Sequence, residues 1–264
     1  MQWSLVGSEM CIRDSVRFYP GTLRFNPFPH KVDDLDLPPE PRNQPNVPDL
    51  HLGNRLPDDL NTAQWKAVTH SGSHLLIVAG PGTGKTHTLT HRIAHITQCF
   101  SPASEVLAIT FTNKAAEEMR QRLQRKLGDD ALGLFVGTFH SYCLQLLRDH
   151  KGETDLPQNF AIATPQEIEG LTRSIWPNKL AKERKRLLNQ ISQKKSGRQA
   201  ENIADDLALY NATLRERGLI DYDDLLFEAA QLCERDEQLR EQLQEKYSSI
   251  FVDEYQDING AQYE

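Results

Sequence analysis

Eight consecutive residues, Ala79-Gly80-Pro81-Gly82-Thr83-Gly84-Lys85-Thr86, constrain this chain more than any other stretch. The apolar run before them, Leu75-Leu76-Ile77-Val78, has the length of a buried strand, and Leu89, Ile93 and Ile96 follow at helical spacing. Strand, glycine-rich turn and helix, in that order, make the setting of a phosphate-binding loop. Glycines let backbone N–H groups close around a polyphosphate where a Cβ would clash. The helix start adds unpaired N–H groups and a positive dipole end. The spacing places Lys85 on the β- and γ-phosphates and Thr86 Oγ on Mg²⁺. Ala79 stands where the strict pattern has glycine, a difference of one methyl.

Further strands and helices alternate around this loop. Asp58 to Ser71 reads as a helix with Trp65 and Val68 on its apolar side, and Asn61 and Gln64 stand at capping-box spacing. Spacing alone therefore gives Gln64 the task of closing a helix start. The helix after the loop runs to about Phe100 and carries His87, His91 and His95 every four residues. Three imidazoles so aligned could meet a metal, but no cysteine or carboxylate joins them nearby in sequence, and a polar helix face explains them as well. Val106 to Thr112 is a second buried strand. Asn113 begins a helix with Met119, Leu123 and Leu127 at heptad-like spacing, and Gly128 ends it. Arg120, Arg122, Arg125 and Lys126 on that helix read as a solvated face. Leu134 to Thr138 is a third strand, and Phe139-His140-Ser141 opens the next helix. The alternation predicts an α/β fold with a parallel sheet covered on both faces.

The pattern then changes. From about Tyr142 to Arg217 the strand signals stop and helical ones dominate, with basic stretches at Lys179 to Arg186 and Lys194-Lys195 to Arg198. Such an insertion suits a subdomain lying over a nucleic-acid backbone, and a solvated charged face accounts for it equally. Asp221, followed by Asp223 and Asp224, reads as a helix N-cap with an acidic first turn, and no catalysis is assigned there. Ile250-Phe251-Val252 is the last strand, with Asp253-Glu254 at its carboxyl edge. Ligands of open parallel sheets bind beyond that edge. Asp253 is thus placed to hold Mg²⁺ through its water shell, and Glu254 to orient and deprotonate an attacking water.

Composition narrows the class. The net charge is -7, so any nucleic-acid surface is local rather than global. Cys11, Cys99, Cys143 and Cys233 form no C-x-x-C pair, which argues against a zinc site or disulfide scaffold and fits a reducing cytoplasm. No apolar run approaches the ~20 residues of a membrane span. Residues 1–15 look like translated sequencing-adaptor DNA joined to a gene fragment and are set outside the fold. The proline-rich run 16–57 reads as linker or tail.

Together these motifs resemble the UvrD-like helicases of superfamily 1, from about Leu60 to Gln262. Leu60-Asn61-Thr62-Ala63-Gln64 looks like the family's adenine-reading glutamine motif, so the resemblance gives Gln64 a binding role beside its cap. Ala79 is normal in the family. The stretches Thr110-Phe111-Thr112-Asn113-Lys114-Ala115-Ala116 and Gly137-Thr138-Phe139-His140-Ser141 look like its two single-strand contact motifs. They nominate Phe111, Thr112, Asn113, Thr138, Phe139 and His140 as DNA contacts. Asp253-Glu254-Tyr255-Gln256-Asp257 is similar to its acidic motif, in which Gln256 links hydrolysis to DNA. His87 departs from the pattern, because many members carry arginine after the Lys-Thr pair.

The resemblance implies a RecA-like ATP-binding domain over 58–141 and 218–264, interrupted by an inserted helical subdomain over 142–217. It implies ATP and Mg²⁺ as ligands, with Ala79 to Thr86 and Gln64 at the nucleotide. It further implies Lys85, Glu254 and Gln256 in catalysis, and Thr86 and Asp253 at the metal. Single-stranded DNA and single-/double-strand junctions are the implied partners. The expected parent is a cytoplasmic 3′-to-5′ DNA helicase of replication or repair. A γ-phosphate-sensing motif and a second RecA-like domain with its arginines are missing, so the fragment alone is expected to bind Mg-ATP weakly and hydrolyse it hardly at all. The alternatives are a helicase subunit of a recombination nuclease complex and a truncated, non-catalytic ATP- and strand-binding module.

Overall fold

The computed structural model describes residues 2–7, 10–11, 57–71, 74–80, 82–197 and 203–263. Pro81, Arg198 and the proline-rich run up to residue 56 lie outside them. Two compact units result, one of residues 1–138 with 243–257, the other of residues 139–242 with 258–264.

The first unit is a six-stranded sheet with helices packed on it. In chain order its elements are β1 (Gln2–Gly7), β2 (Met10–Cys11), α1 (Thr62–Val68), β3 (Leu75–Ala79), α2 (Lys85–Cys99), β4 (Val106–Thr110), α3 (Asn113–Leu127) and β5 (Phe135–Thr138). The last strand of the chain, described below as β8 (Ser249–Val252), returns to this sheet. The strand order is β2-β3-β1-β8-β4-β5. β4 runs parallel to both β5 and β8, in a register that brings Thr110 beside Thr138 and Ile109 beside Val252. The carboxyl ends of these three strands therefore lie level.

Alternate strand residues point to one face. Leu75 and Ile77 of β3 and Val106 and Ala108 of β4 join Val136 and Phe251 in one core, closed by Leu89 and Ile93 of α2 and Met119 and Leu123 of α3. Fully burying each of the Leu, Ile, Val, Phe and Met side chains contributes about 1.5–3 kcal/mol. The apolar periods at 3.6 on the helices and at 2 on the strands thus meet in the same place.

One strand departs from the sequence reading. β1 comes from residues set outside the fold, yet it lies between β3 and β8 and is antiparallel to both, with Trp3 paired to Val78 and Leu5 to Val252. Two strand edges facing one another across a one-strand gap present unpaired N–H and C=O groups, and any extended segment can satisfy them. α1 is also shorter than the span expected from Asp58 to Ser71. Its C-terminal carbonyls are taken by the buried Arg92 of α2, which donates to Val68 O at 2.8 Å and His70 O at 2.5 Å. Burial pushes that guanidinium down to about 10. Arg92 carried no signal in the sequence. It straps α1 to α2, and so helps fix where Gln64 stands.

The second unit is mainly helical. It comprises α4 (Phe139–Asp149), β6 (Ala161–Ile162), α5 (Pro165–Ile175), α6 (Ala181–Lys195), α7 (Ala204–Glu216), β7 (Leu219–Ile220), α8 (Tyr222–Arg235) and α10 (Gly260–Tyr263). α9 (Glu237–Lys246) spans the division between the units. A two-stranded parallel sheet pairs β6 with β7. Leu171, Trp176, Ile191, Tyr210 and Leu214 form the core of α5, α6 and α7. Asp221 caps α8 as its position predicts, accepting from Asp224 N at 2.8 Å. Lys195 corrects the sequence reading. It stands in a basic stretch but is buried, with Nζ 2.7 Å from both Asp221 Oδ2 and Asp224 Oδ1. Among the described residues no helix is long and apolar enough to cross a membrane.

Candidate functional site

The glycine-rich loop leaves β3 and enters α2 as its spacing predicts. Gly82 has φ 75° and Gly84 φ 86°, a left-handed region that only glycine enters without strain. Gly84 is the N-cap of α2. A Cβ placed on it would come within 2.8 Å of Gln64 Nε2. Gly84→Ala is therefore expected to destabilise the chain by about 1–2 kcal/mol from backbone handedness alone, and to displace Gln64 as well. Thermal unfolding of the variant measures the first effect and nucleotide titration the second.

Gln64 serves both as cap and as neighbour of the loop. Asn61 Oδ1 accepts from Gln64 N at 2.8 Å, and Gln64 Oε1 accepts from Asn61 N at 2.9 Å, which completes the capping box. The remaining amide nitrogen donates to Thr83 O at 3.1 Å. A buried glutamine at the start of a short helix thus touches the turn that must open its N–H groups to a ligand.

Lys85 is buried, at 7% exposure, and folds back over the loop. Its Nζ donates to Ala79 O at 3.1 Å and Gly80 O at 3.4 Å. An ammonium held over two carbonyls at the mouth of a glycine turn is a cation in reach of whatever anion the loop takes. Thr86 Oγ1 donates to Asp253 Oδ2 at 3.2 Å, joining α2 to the residue after β8 across 167 positions of sequence. Asp253 is 5% exposed, and its N–H donates to Ile109 O at 2.8 Å. A hydroxyl and a carboxylate oxygen converging beside a phosphate-type loop are hard ligands of the kind Mg²⁺ takes, so the residues present fit that ion.

Glu254 is, among the described residues, the non-glycine residue with positive φ, at 54°. Such backbone costs about 1–2 kcal/mol, and strain of this kind gathers at functional positions. The conformation turns the chain directly after β8, with Glu254 N donating to Asp253 Oδ1 at 3.1 Å. Gln256 Nε2 donates to Glu254 Oε2 at 2.7 Å. The two acidic-motif residues with expected catalytic roles are thus hydrogen-bonded to one another.

The expected DNA contacts divide. Phe111, Thr112 and Asn113 are exposed at the carboxyl end of β4, Phe111 at 56%. Thr112 Oγ1 accepts from Ala115 N at 3.1 Å and so caps α3. Thr138, paired with Thr110 at the end of β5, is buried. Phe139 and His140 are half-buried in the second unit, where the His140 ring stacks on Tyr222 with centroids 4.0 Å apart. Burial holds the His140 imidazole below its ordinary range. Arg120, expected on a solvated face, donates to Val136 O at 2.6 Å.

The profile of the UvrD/REP helicase N-terminal domain matches residues 60–264. The chain is 36% identical over 229 residues to the ATP-dependent DNA helicase PcrA of Staphylococcus aureus, covering 80% of this chain and 31% of that protein. It is 38% identical over 232 residues to the ATP-dependent DNA helicase UvrD1 of Mycobacterium leprae, covering 79% and 30%. It is 35% identical over 233 residues to the PcrA of Bacillus subtilis, covering 81% and 31%. The chain spans about a third of the length of these relatives.

Proposed function

The chain belongs to the UvrD/REP helicase N-terminal domain family, and from that premise we propose that it is the Mg-ATP-binding lobe of a cytoplasmic, ATP-dependent DNA helicase that moves 3′-to-5′ along single-stranded DNA in replication or repair. The observation that carries the reading is the 3.2 Å bond between Thr86 and Asp253. It brings a loop built for phosphate and a strand end built for a hard cation to one point.

Phosphoryl transfer asks little covalent chemistry of a protein and much positioning. Lys85 leaves its two carbonyls for the phosphate oxygens, and the loop N–H groups close around them. Thr86 and Asp253 would hold Mg²⁺, which when bound would neutralise phosphate charge. Gln64, fixed between Asn61 and Thr83, reads the adenine edge. The Glu254 carboxylate accepts a proton from the attacking water. Its link to Gln256 carries news of the strand to the hydrolysis site. Phe111 lies exposed, where a base can stack, and such stacking is worth about 1–3 kcal/mol per base. Phe139 and His140 are the strand contacts proposed for the second unit. In the whole helicase a second RecA-like lobe would supply the arginines opposite, worth about 10³–10⁵ in rate.

The test is Glu254→Gln in a chain that joins these residues to such a lobe. Mg-ATP affinity is expected to stay within a few-fold of the original, while strand-stimulated hydrolysis falls by about 10²–10⁴, the usual contribution of a general base. Unchanged hydrolysis overturns the assignment of Glu254. Absence of single-strand stimulation in the unmodified protein overturns the DNA reading and leaves a nucleotide-binding module.

A further inference from the structure

Beside the first turn of α2, three groups from two distant parts of the sequence converge. Asp59 precedes α1, while His87 and His91 are one turn apart on α2, so helical spacing puts both imidazoles on one face. Asp59 Oδ2 lies 3.3 Å from His87 Nε2 and 3.0 Å from His91 Nε2. One ligand-type atom from each of the three residues falls within 4.8 Å of the others. Nitrogen and oxygen ligands bound at about 2.0–2.2 Å around a tetrahedral ion stand roughly 3.3–3.5 Å apart. The 3.3 Å separation falls in that range, and the 3.0 Å one is a hydrogen-bond distance that binding would lengthen.

The hydrogen bonding around the cluster points the same way. Lys126 of α3 brings Nζ to 2.8 Å from His91 Nε2 and 4.0 Å from Asp59 Oδ2. An ammonium has only protons to donate, so His91 Nε2 must face it with its lone pair. That same nitrogen then cannot donate to Asp59, and two lone-pair atoms face one another at 3.0 Å with a cation beside them. His87 Nε2 meets both the carboxylate and the backbone carbonyl of Asp59, at 3.3 and 3.2 Å. The arrangement gathers acceptor atoms around positive charge, and the lysine supplies that charge from one side. An open cavity of about 310 Å³ bounded by His87, Thr90, Arg122, Arg125 and Lys126 adjoins the cluster.

We propose that Asp59, His87 and His91 form a binding site for a transition-metal dication of the zinc type, with Lys126 as its built-in competitor. Imidazole nitrogens favour zinc, nickel and copper over the hard ions magnesium and calcium. Three protein ligands leave a fourth position open to solvent, the form of an exchangeable rather than a structural centre. His95, the third histidine of the periodic row, takes no part. It packs on Trp65 and Phe100 and lies 3.6 Å from Cys99 Sγ. None of its three ligands is assigned to ATP or Mg²⁺, and His87 directly follows Thr86.

The experiment is calorimetric titration of the full chain with Zn²⁺, without nucleotide, alongside Co²⁺ absorption spectra. One site per chain is expected, with a Co²⁺ spectrum free of thiolate charge transfer. His91→Ala and Asp59→Asn should each weaken it by more than about 100-fold, because loss of an outer-shell partner alone costs 10–100-fold. Lys126→Met removes the ammonium that contacts His91 Nε2 while keeping all three ligands, and should tighten binding several-fold. Circular dichroism checks that each variant folds, and the Lys126→Met result stands even where a histidine variant does not. Equal affinity in the original and Lys126→Met chains overturns the proposal. So does undiminished binding in a folded His91→Ala chain, or a thiolate band abolished by Cys99→Ser.

Discussion

Lys85→Ala is expected to reduce Mg-ATP affinity by at least about 100-fold and to end hydrolysis wherever the completed enzyme has it. Hydrogen bonds to charged groups contribute roughly 1.5–3 kcal/mol each, and each 1.4 kcal/mol is about tenfold in affinity. Lys85 is buried at the loop mouth and already released from water, so little reorganisation stands against its move to phosphate. Its present partners are the carbonyls of Ala79 and Gly80. Removing the ammonium leaves those carbonyls beside the entering anion with nothing to offset them. Titration with a fluorescent ATP analogue measures the loss, and circular dichroism shows whether α2 persists. Retained affinity in a folded variant would remove the loop from nucleotide binding altogether.

The second large effect lies in the helical unit and concerns stability alone. Lys195→Met is expected to cost about 3–5 kcal/mol, the range for breaking a buried ion pair from one side. Asp221 and Asp224 would keep their burial and lose their shared cation. Burial already raises the Asp224 carboxyl above its ordinary range, against the pull of Lys195. The Tyr210 hydroxyl is raised too, by burial and then by Asp221. Lys195 Nζ also sits 5.1 Å from the Tyr210 ring centroid, and Tyr210 stacks in parallel on Trp176. Trp176 fluorescence therefore reports melting of this unit. At about 4–8 °C per kcal/mol for a unit of this size, the midpoint should fall by well over about 10 °C. Lys194→Met is the internal control. Lys194 is exposed, and surface changes of that kind stay within about ±0.5 kcal/mol. Equal melting of the two variants would refute the buried network.

That pair of neighbouring lysines shows the limit of reading a chain by composition. Both belong to one basic stretch, and local sequence gives no sign that one is solvated and the other walled in by α8. The same holds for Arg92, whose guanidinium closes α1, whereas Arg120 and Lys126 stay exposed as expected while also reaching Val136 and His91. The histidine row illustrates it further. Its carboxylate partner was sought nearby in sequence, but Asp59 arrives from 28 positions before His87.

What could be read from residue order alone was whatever depends on short spacing. The strand, glycine turn and helix around Lys85, the Asn61–Gln64 box, the Asp221 cap and the acidic pair after β8 each span a few residues. Their geometry follows from backbone and capping chemistry within that span. Hydrophobic period likewise marked a mainly helical stretch from about Tyr142, but the compact helical unit runs on past Arg217 to Gln242. Tertiary structure alone settled which side chains meet across the fold. It joined Thr86 to Asp253, Glu254 to a strained turn, Lys195 to two aspartates, and residues 2–7 to a gap in the sheet. Those contacts arise from packing within each unit, around its own core, and no local pattern encodes the distance between groups that only packing brings together.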